Sequence, residues 1–291
     1  MTDLQTGDGD LRAEHIDMAI KAIALQEYKL KTLCAIDSSS SWTETYYRED
    51  NTELAGKGFA SEKSIPRGAA FPNGDVSWTK HSNVIEKYGM EGTIFEEDKR
   101  LNNIPMIERT IVRIGRAITK SIDAEVASQM LANAGNSVVI GAGNEWDSAT
   151  VANRDPVFNI LSAIQTLRVD NIDALTGNGY LVVNGTDYTN LISNSKIMNN
   201  PTFKSADVVS NGVVGEIVGL KIMVTESLEV DTPDVAYVIV AKESMTWKQV
   251  QALTVVQIED PGISTKIRAY ESGVTQVVSP NAICKITNTR A

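Results

Sequence analysis

The stretch from Glu96 to Ala134 limits the folds open to this chain more than any other. Ile104, Ile107, Ile111, Ile114, Ile118 and Ile122 recur at steps of three or four, the spacing that gathers side chains on one side of an α-helix. The stripe continues through Val126 or Ala127 to Met130 and Leu131, while Glu108, Arg109, Arg113, Arg116, Lys120 and Glu125 fall on the other faces. Pro105 suits a first turn, where a missing N–H costs little, and Glu96, Glu97 and Asp98 set negative charge near the positive end of the helix dipole. Gly135 and Asn136 supply a stop. A helix from about Ile104 to Asn133 would run about 45 Å, long for a globular protein. Taken alone, the stripe also fits an ordinary buried core helix.

The chain of 291 residues can bury a large core, as one elaborated domain or two intertwined ones. No apolar run reaches bilayer length, and the opening MTDLQTGDGDLRAEH is acidic where a secretory signal would be basic and then apolar. Synthesis in a cytoplasm and no membrane association are expected. A formal charge of −10 argues against non-specific grip on nucleic acid, which depends on neutralising phosphates. Any relation to DNA would be containment. Cys34 and Cys284 form no CxxC or Cys/His group, so both read as small buried residues.

Residues 1–10 read as a Gly/Asp-rich tail, and helical spacing then runs from Leu11 to Ile36. From Asp37 the sequence SSSSWTETYYRED suits an extended strand. Asn51 to Gly74 is dense in Gly, Pro, Ser and charge, an exposed excursion, and strand-like material resumes at DVSWTKHSNVIEKYGMEGTIF. Together these predict a two-stranded arm. Because an isolated ribbon is marginal in water, it makes most sense lying on another subunit, with a hairpin packed on its own domain as the alternative.

SVVIGAGNEWDSATVANRDP reads as loop. Gly141 and Gly143 resemble part of a dinucleotide fingerprint, but Trp146 stands where the third glycine belongs, so a turn is the better reading. A second amphipathic helix is predicted from Asp155 or Pro156 to Val169, a buried strand over Tyr180 to Asn184, and a short helix in TDYTNLIS capped by Thr186. Asn199 to Asn211 is polar and turn-rich. Then come a hairpin with a strand at Leu220 to Thr225, a strand at Ala236 to Val240, two long strands around the turn Asp260, Pro261 and Gly262, and a last strand from Ala282 to Thr287. The mixed order points to α+β.

Catalytic devices are hard to assemble from these residues. His15 and His81 are the two histidines, and neither has a convincing setting for a Ser/His/Asp or Cys/His arrangement. There is no Gly-x-Ser-x-Gly elbow, and Gly56-Lys57 lacks the upstream glycine of a phosphate loop. Glu96-Glu97-Asp98 and Glu259-Asp260 are more simply a helix start and a turn than metal ligands. No cofactor, metal or enzymatic activity is expected.

The order of these parts resembles that of the major capsid proteins of tailed double-stranded DNA viruses, which have the Hong Kong 97-type fold. The resemblance spans nearly the whole chain. It rests on the helical N-arm and extended loop, then NIPMIERTIVRIGRAITKSIDAEVASQML and ILSAIQTLRVDNIDALTGNGYLVVNGTDYTNLI, and further on GEIVGLKIMVTESL, AYVIVAKESMTW and RAYESGVTQVVSPNAICKIT. It implies an N-arm at 1–37, an E-loop at 38–85, a peripheral domain at 86–136 with the spine helix, and an axial domain at 137–245. Residues 246–277 would return to the peripheral domain as long strands, and 278–291 would end in the axial domain.

The resemblance further implies self-assembly through pentamers and hexamers into an icosahedral or prolate shell enclosing packaged DNA, located in the virion capsid after synthesis in the host cytoplasm. Portal and scaffolding proteins, and a decoration protein, are the implied partners. Intersubunit contacts are expected from Trp42, Tyr46, Lys57, Phe59, Lys63, Arg67, Phe71 and Trp78 of the E-loop, and from the peripheral-domain turn at Glu259, Asp260 and Pro261. The spine-helix residues Arg109, Arg113, Arg116 and Lys120 would pair with acidic groups of neighbours or form a solvated face. Some members of the family cross-link through Lys and Asn. Lys57 and Lys63 lie in the corresponding loop, but no partner motif is evident, so a shell without covalent links is expected. The alternatives are an encapsulin-like nanocompartment shell, for which the N-terminal helix lacks the typical cargo groove, and a soluble oligomeric enzyme with intersubunit sites.

Overall fold

A computed structural model describes residues 18–23, 28–49, 67–68, 78–101, 104–194, 197, 215–229 and 234–291. A short helix, α1 (Glu96–Arg100), precedes the spine helix α2 (Ile104–Asn133). Along α2, Ile111, Ile114, Ile118, Ile122, Val126 and Met130 are buried, as their spacing requires. They pack on a four-stranded sheet in the order β1 (Ala35–Ser38), β10 (Met245–Asp260), β11 (Ser264–Val277), β4 (Glu86–Phe95). The β10–β11 hairpin turns at Pro261 and Gly262, as predicted, and its register shifts near Gln251, a bulge of the kind that bends long strands.

A second, six-stranded sheet runs β5 (Asn136–Val139), β12 (Ile283–Thr287), β9 (Val235–Val240), β6 (Gly179–Val183), β8 (Leu220–Val224), β7 (Glu216–Ile217). Its central strands lie between two cores. Val182, Tyr237, Ile239 and Ile283 face the core shared with the spine helix. Leu181, Val183, Ala236, Val238, Val240, Cys284 and Ile286 face the other core, built on α3 (Pro156–Val169) through Ile160, Ile164 and Leu167. Alternate side chains of a strand point to opposite faces, so a sheet covered on both sides needs continuous apolar runs such as VAYVIV. Another helix, α4 (Gly185–Ser193), follows β6.

The third sheet is the antiparallel pair β2 (Thr43–Glu49) and β3 (Trp78–Val84), in register from Thr43 opposite Val84 to Glu49 opposite Trp78. The predicted two-stranded arm is present. The excursion between its strands lies outside the described residues apart from an exposed turn at Arg67 and Gly68, as does the polar stretch from Asn199 to Asn211.

Several local expectations need correction. Glu96, Glu97 and Asp98, expected at the N-terminal end of one continuous spine helix, belong instead to the separate helix α1, which ends in a turn at Leu101 before α2 begins at Ile104. The Glu96 N–H donates to Ile263 O, so α1 belongs to the hairpin tip. The N-terminal helix does not reach Ile36: residues 30–33 form a 3-10 turn, and Ala35–Ser38 pairs in parallel with Thr246–Gln249. Apolar spacing over so few residues fits a helix or a strand alike, and pairing to β10 decides it. Asn136–Val139, read as loop, is an edge strand parallel to β12. The cap of α4 is Asn184, whose Oδ1 accepts from Asp187 N at 2.7 Å, rather than Thr186, which lies inside the first turn. Gly143 sits in a turn at φ 87°, as predicted.

Candidate assembly site

The arm is tied to the body near both ends of its described strands. Ile85 N donates to Trp42 O, closing the two strands at one end. Arg48 reaches across to the body: Nε donates to Val277 O at 3.2 Å and Nη2 to Asn133 Oδ1 at 3.0 Å. One guanidinium therefore ties the arm to the end of β11 and the last residue of the spine, using the planar fork that lets arginine serve two acceptors. Nη2 also donates to Tyr46 Oη at 3.1 Å, and the Tyr46 ring stacks on His81 with centroids 5.5 Å apart. Burial and the nearby Arg48 charge push His81 below the usual imidazole range. Asn83 Nδ2 adds a bond to Thr275 O at 3.2 Å.

Between these ties the arm offers surface. Trp42 and Tyr47 are more than half exposed. Among the other predicted contacts, Tyr46 is half-buried, Arg67 is exposed, and Trp78 starts β3; Lys57, Phe59, Lys63 and Phe71 lie outside the described residues. On the spine, Arg109, Arg113, Arg116 and Lys120 are all exposed. Glu259, Asp260 and Pro261 form the exposed far tip of the long hairpin, where Ile263 N donates to Asp260 O. The predicted contact residues that are described are thus spread over three separate surfaces and share no cleft.

A buried polar latch was not anticipated. Lys31 Nζ is ion-paired with Glu271, whose side chain has no exposed area. Tyr28 Oη donates to Glu271 Oε2 at 2.8 Å and Trp247 Nε1 to Oε1 at 3.1 Å, so both carboxylate oxygens are engaged. Lys31 Nζ also lies 4.4 Å from the Tyr28 ring centroid. Burial beside the Glu271 charge pushes the Tyr28 phenol up. Gly273 makes room for this group, because a Cβ there would come within 2.5 Å of the Trp247 ring. On the spine, Asp123 accepts from Lys29 N at 3.0 Å and Lys31 N at 3.1 Å. Burial raises its pKa against the opposing pull of those amides. The latch fixes residues 28–34 to the spine and the long hairpin. A lysine and a glutamate 240 positions apart carry no sequence signal of pairing; an acidic residue among the spine's apolar positions was the available hint.

A second buried carboxylate holds the chain end. Asp187 accepts from Thr289 Oγ1 at 3.0 Å, and Arg290 Nε lies 3.6 Å from both Asp187 Oδ1 and Asp234 Oδ1. Burial raises the Asp187 pKa to about 6, with Thr289 and Arg290 pulling the other way. Burial also pushes both free cysteine thiols up to about 12, so Cys34 and Cys284 stay protonated and unreactive near neutral pH.

The described residues offer one groove. An open groove of about 280 Å³ on β4 and β11 is lined by Lys87, Met90, Glu91, Arg268 and Tyr270. Its polar groups are spent on each other: Arg268 binds Glu91 through two nitrogens at 2.6 and 2.8 Å, and Lys87 Nζ lies 3.9 Å over the Tyr270 ring. Among the described residues no three His, Cys, Asp or Glu side chains group as metal ligands, and no helix is long and apolar enough to cross a membrane.

A long spine helix, two sheets and a two-stranded arm make up the fold, and comparison with known proteins identifies its class. Residues 80–286 match the family of phage capsid proteins, and the chain belongs to that family. Its α+β architecture is the Hong Kong 97-type fold. The capsid protein of cyanophage P-SCSP1u is similar in structure with a TM-score of 0.68 at 15% identity, over 88% of this chain and 86% of that one. The mature capsid protein of bacteriophage PhiM1 gives 0.64 at 11% identity, over 90% and 87%. The virus-like particle protein from Pyrococcus furiosus gives 0.63 at 14%, over 94% and 98%. No curated relative matches the sequence. The protein is a shell-forming structural protein of the tailed-phage capsid type.

Proposed function

We propose that this protein assembles through pentamers and hexamers into an icosahedral or prolate shell around packaged double-stranded DNA, without enzymatic activity. The observation that carries this reading is the arm. β2 and β3 form a sheet of their own, attached through Arg48 near one end and Asn83 near the other, with Trp42 and Tyr47 exposed. A ribbon that leaves aromatic side chains uncovered gains stability when a neighbour covers them. On this reading the four-stranded sheet and spine are the peripheral domain, the six-stranded sheet is the axial domain, and the E-loop of one subunit overlaps the next subunit's peripheral domain. Heterologous contacts that close produce rings, and rings of five and six close into a shell.

Trp42, Tyr46, Lys57, Phe59, Lys63, Arg67, Phe71 and Trp78 form the arm's contact set, and Glu259, Asp260 and Pro261 form a second contact at the hairpin tip. The shell is held without covalent links; high-mass ladders surviving boiling in SDS would overturn that part. Portal and scaffolding proteins, and a decoration protein, complete the particle. Negative-stain electron microscopy with light scattering tests the assembly: closed thin-walled particles or capsomer rings are expected, and small oligomers under all assembly conditions would refute it. The likeness to the Pyrococcus furiosus particle supports a second reading, a nanocompartment shell. Particle contents decide, with DNA marking a virion and a protein cargo marking a compartment.

A further inference from the structure

Glu125, Gln129 and Asn133 stand four apart on the spine helix, a spacing that stacks side chains along one flank. All three are half-buried, and they are hydrogen-bonded in series. Gln129 Nε2 donates to Glu125 Oε1 at 3.0 Å, Asn133 Nδ2 donates to Gln129 Oε1 at 3.1 Å, and Asn133 Oδ1 accepts from Arg48 Nη2 at 3.0 Å. The series runs from a cation on the arm to a carboxylate about 12 Å up the spine from Asn133. Among the described residues neither Glu125 nor Gln129 hydrogen-bonds the arm.

The series has a direction. An arginine only donates and a carboxylate only accepts, whereas each amide carries a donor and an acceptor side by side. One arrangement of the two amides satisfies both ends, with N–H toward Glu125 and oxygen toward Arg48. Turning Gln129 around would set its N–H against the N–H of Asn133, and turning Asn133 around would set N–H against the guanidinium. Asn133 Nδ2 also donates to Gln129 O at 3.1 Å, so the helix backbone favours the same orientation, which the Gln129 side chain can support or oppose. Bonds in such a series polarise one another. We infer that Glu125 and Gln129 are positioning residues for the arm: they hold the Asn133 amide with its oxygen toward Arg48 and so fix how the arm lies against the body. That a neighbouring subunit then meets an arm already aimed rests on the shell reading; the positioning itself does not.

The test is the distance between spin labels on full-length, unassembled subunits near neutral pH. One label is placed at Lys80→Cys on the arm and one at Gln165→Cys on α3, both exposed positions, and the native cysteines are buried, which leaves the labelling specific. Glu125→Lys puts a donor where the series needs an acceptor and so reverses Gln129. The distance distribution should become about twice as broad, a modest change because one of several arm ties is lost. Adding Gln129→Met, which relays neither orientation, should restore the narrow distribution, because the backbone carbonyl alone then holds Asn133. Such suppression is a departure from additivity that a shared network produces. A direct effect of the new charge on Arg48, or on Glu86, whose charge already acts on Glu125, would persist in the double variant. A double variant as loose as Glu125→Lys therefore overturns the inference, as does an unaltered distribution in Glu125→Lys. Asn133→Leu, which removes the member nearest the arm and keeps a helix-forming residue, gives a second reading. It should loosen the arm as much as Glu125→Lys, and a narrow distribution there also overturns the inference. Because the subunits are unassembled, a failure to form shells would count against the proposed function and leave this inference standing.

Discussion

The six-stranded sheet and the β2–β3 arm are both β-structure but differ in sequence and in circumstance, the first largely apolar, the second largely polar. Every residue of β9 is buried, with side chains entering a core on each face. The arm has one partner strand and leaves Trp42 and Tyr47 uncovered. The body's stability is thus written within one chain, while the arm is held to it by a few polar bonds and, on the proposed function, leaves the rest to neighbours. Substitutions should separate the two: body changes lower the stability of the isolated subunit, and arm changes lower the stability of the particle.

The largest effect on the subunit is expected from Lys31→Met, which strands the Glu271 carboxylate in the core. Breaking a buried pair on one side costs about 3–5 kcal/mol, so the urea midpoint should fall sharply. A change near zero would show that the Tyr28 and Trp247 donors alone satisfy Glu271. Ile122→Ala, at a fully buried spine position, should cost about 2–5 kcal/mol through lost transfer energy and a cavity; a smaller loss would mean that the spine repacks.

The pH dependence sharpens the contrast, because the strongly shifted carboxylate lies in the body. The folded-state pKa of Asp187 is about 6 against an ordinary 3.8. Between those values the folded state holds more protons than the unfolded state, so acidification from pH 7 toward 4 stabilises through this group, and the full cost of ionisation is felt above about pH 6. The gap corresponds to at most about 3 kcal/mol. Asp187→Asn should remove that component; urea midpoints of both proteins at pH 4.5 and 7 would show it, and an unchanged pH slope would refute the assignment.

On the arm, Tyr47→Ala should move subunit stability by no more than about 0.5 kcal/mol, as for other exposed positions. Deleting residues 53–68 should likewise leave the subunit melting temperature unchanged while giving free subunits or fragile shells by electron microscopy. Normal, stable particles from that deletion would contradict the arm's role, and a large fall in subunit stability would show that the arm packs on its own body.

Elements with a long internal period were legible in the sequence. The spine, α3, the β10–β11 hairpin and the buried β6 and β9 strands each fall within a few residues of their predicted positions, because burial repeats through many turns or pairs and leaves a readable pattern. The short elements were not. Ala35–Ser38 and Asn136–Val139 are four-residue strands on sheet edges, and their identity comes from parallel partners over a hundred residues away. The arm's two strands were readable, since an extended aromatic run on each side of a Gly/Pro-rich excursion implies a hairpin. Its attachment through Arg48 to Asn133 and Val277 was invisible, because nothing local to an arginine names its distant acceptors.

The sequence by itself determined which faces must be buried and where charge must stay outside, since both follow from periodicity and from the cost of burying charge. It fixed the basic stripe on the spine in the same way. Only the tertiary structure decided which buried polar groups are satisfied. Glu271, Asp123 and Asp187 have no partner legible in the sequence until the fold brings Lys31, the Lys29 and Lys31 amides, and Thr289 with Arg290 against them. Hydrophobic burial is non-directional and shows in spacing, whereas a hydrogen bond requires one particular partner at one distance and angle, and that pairing exists only once distant segments have met.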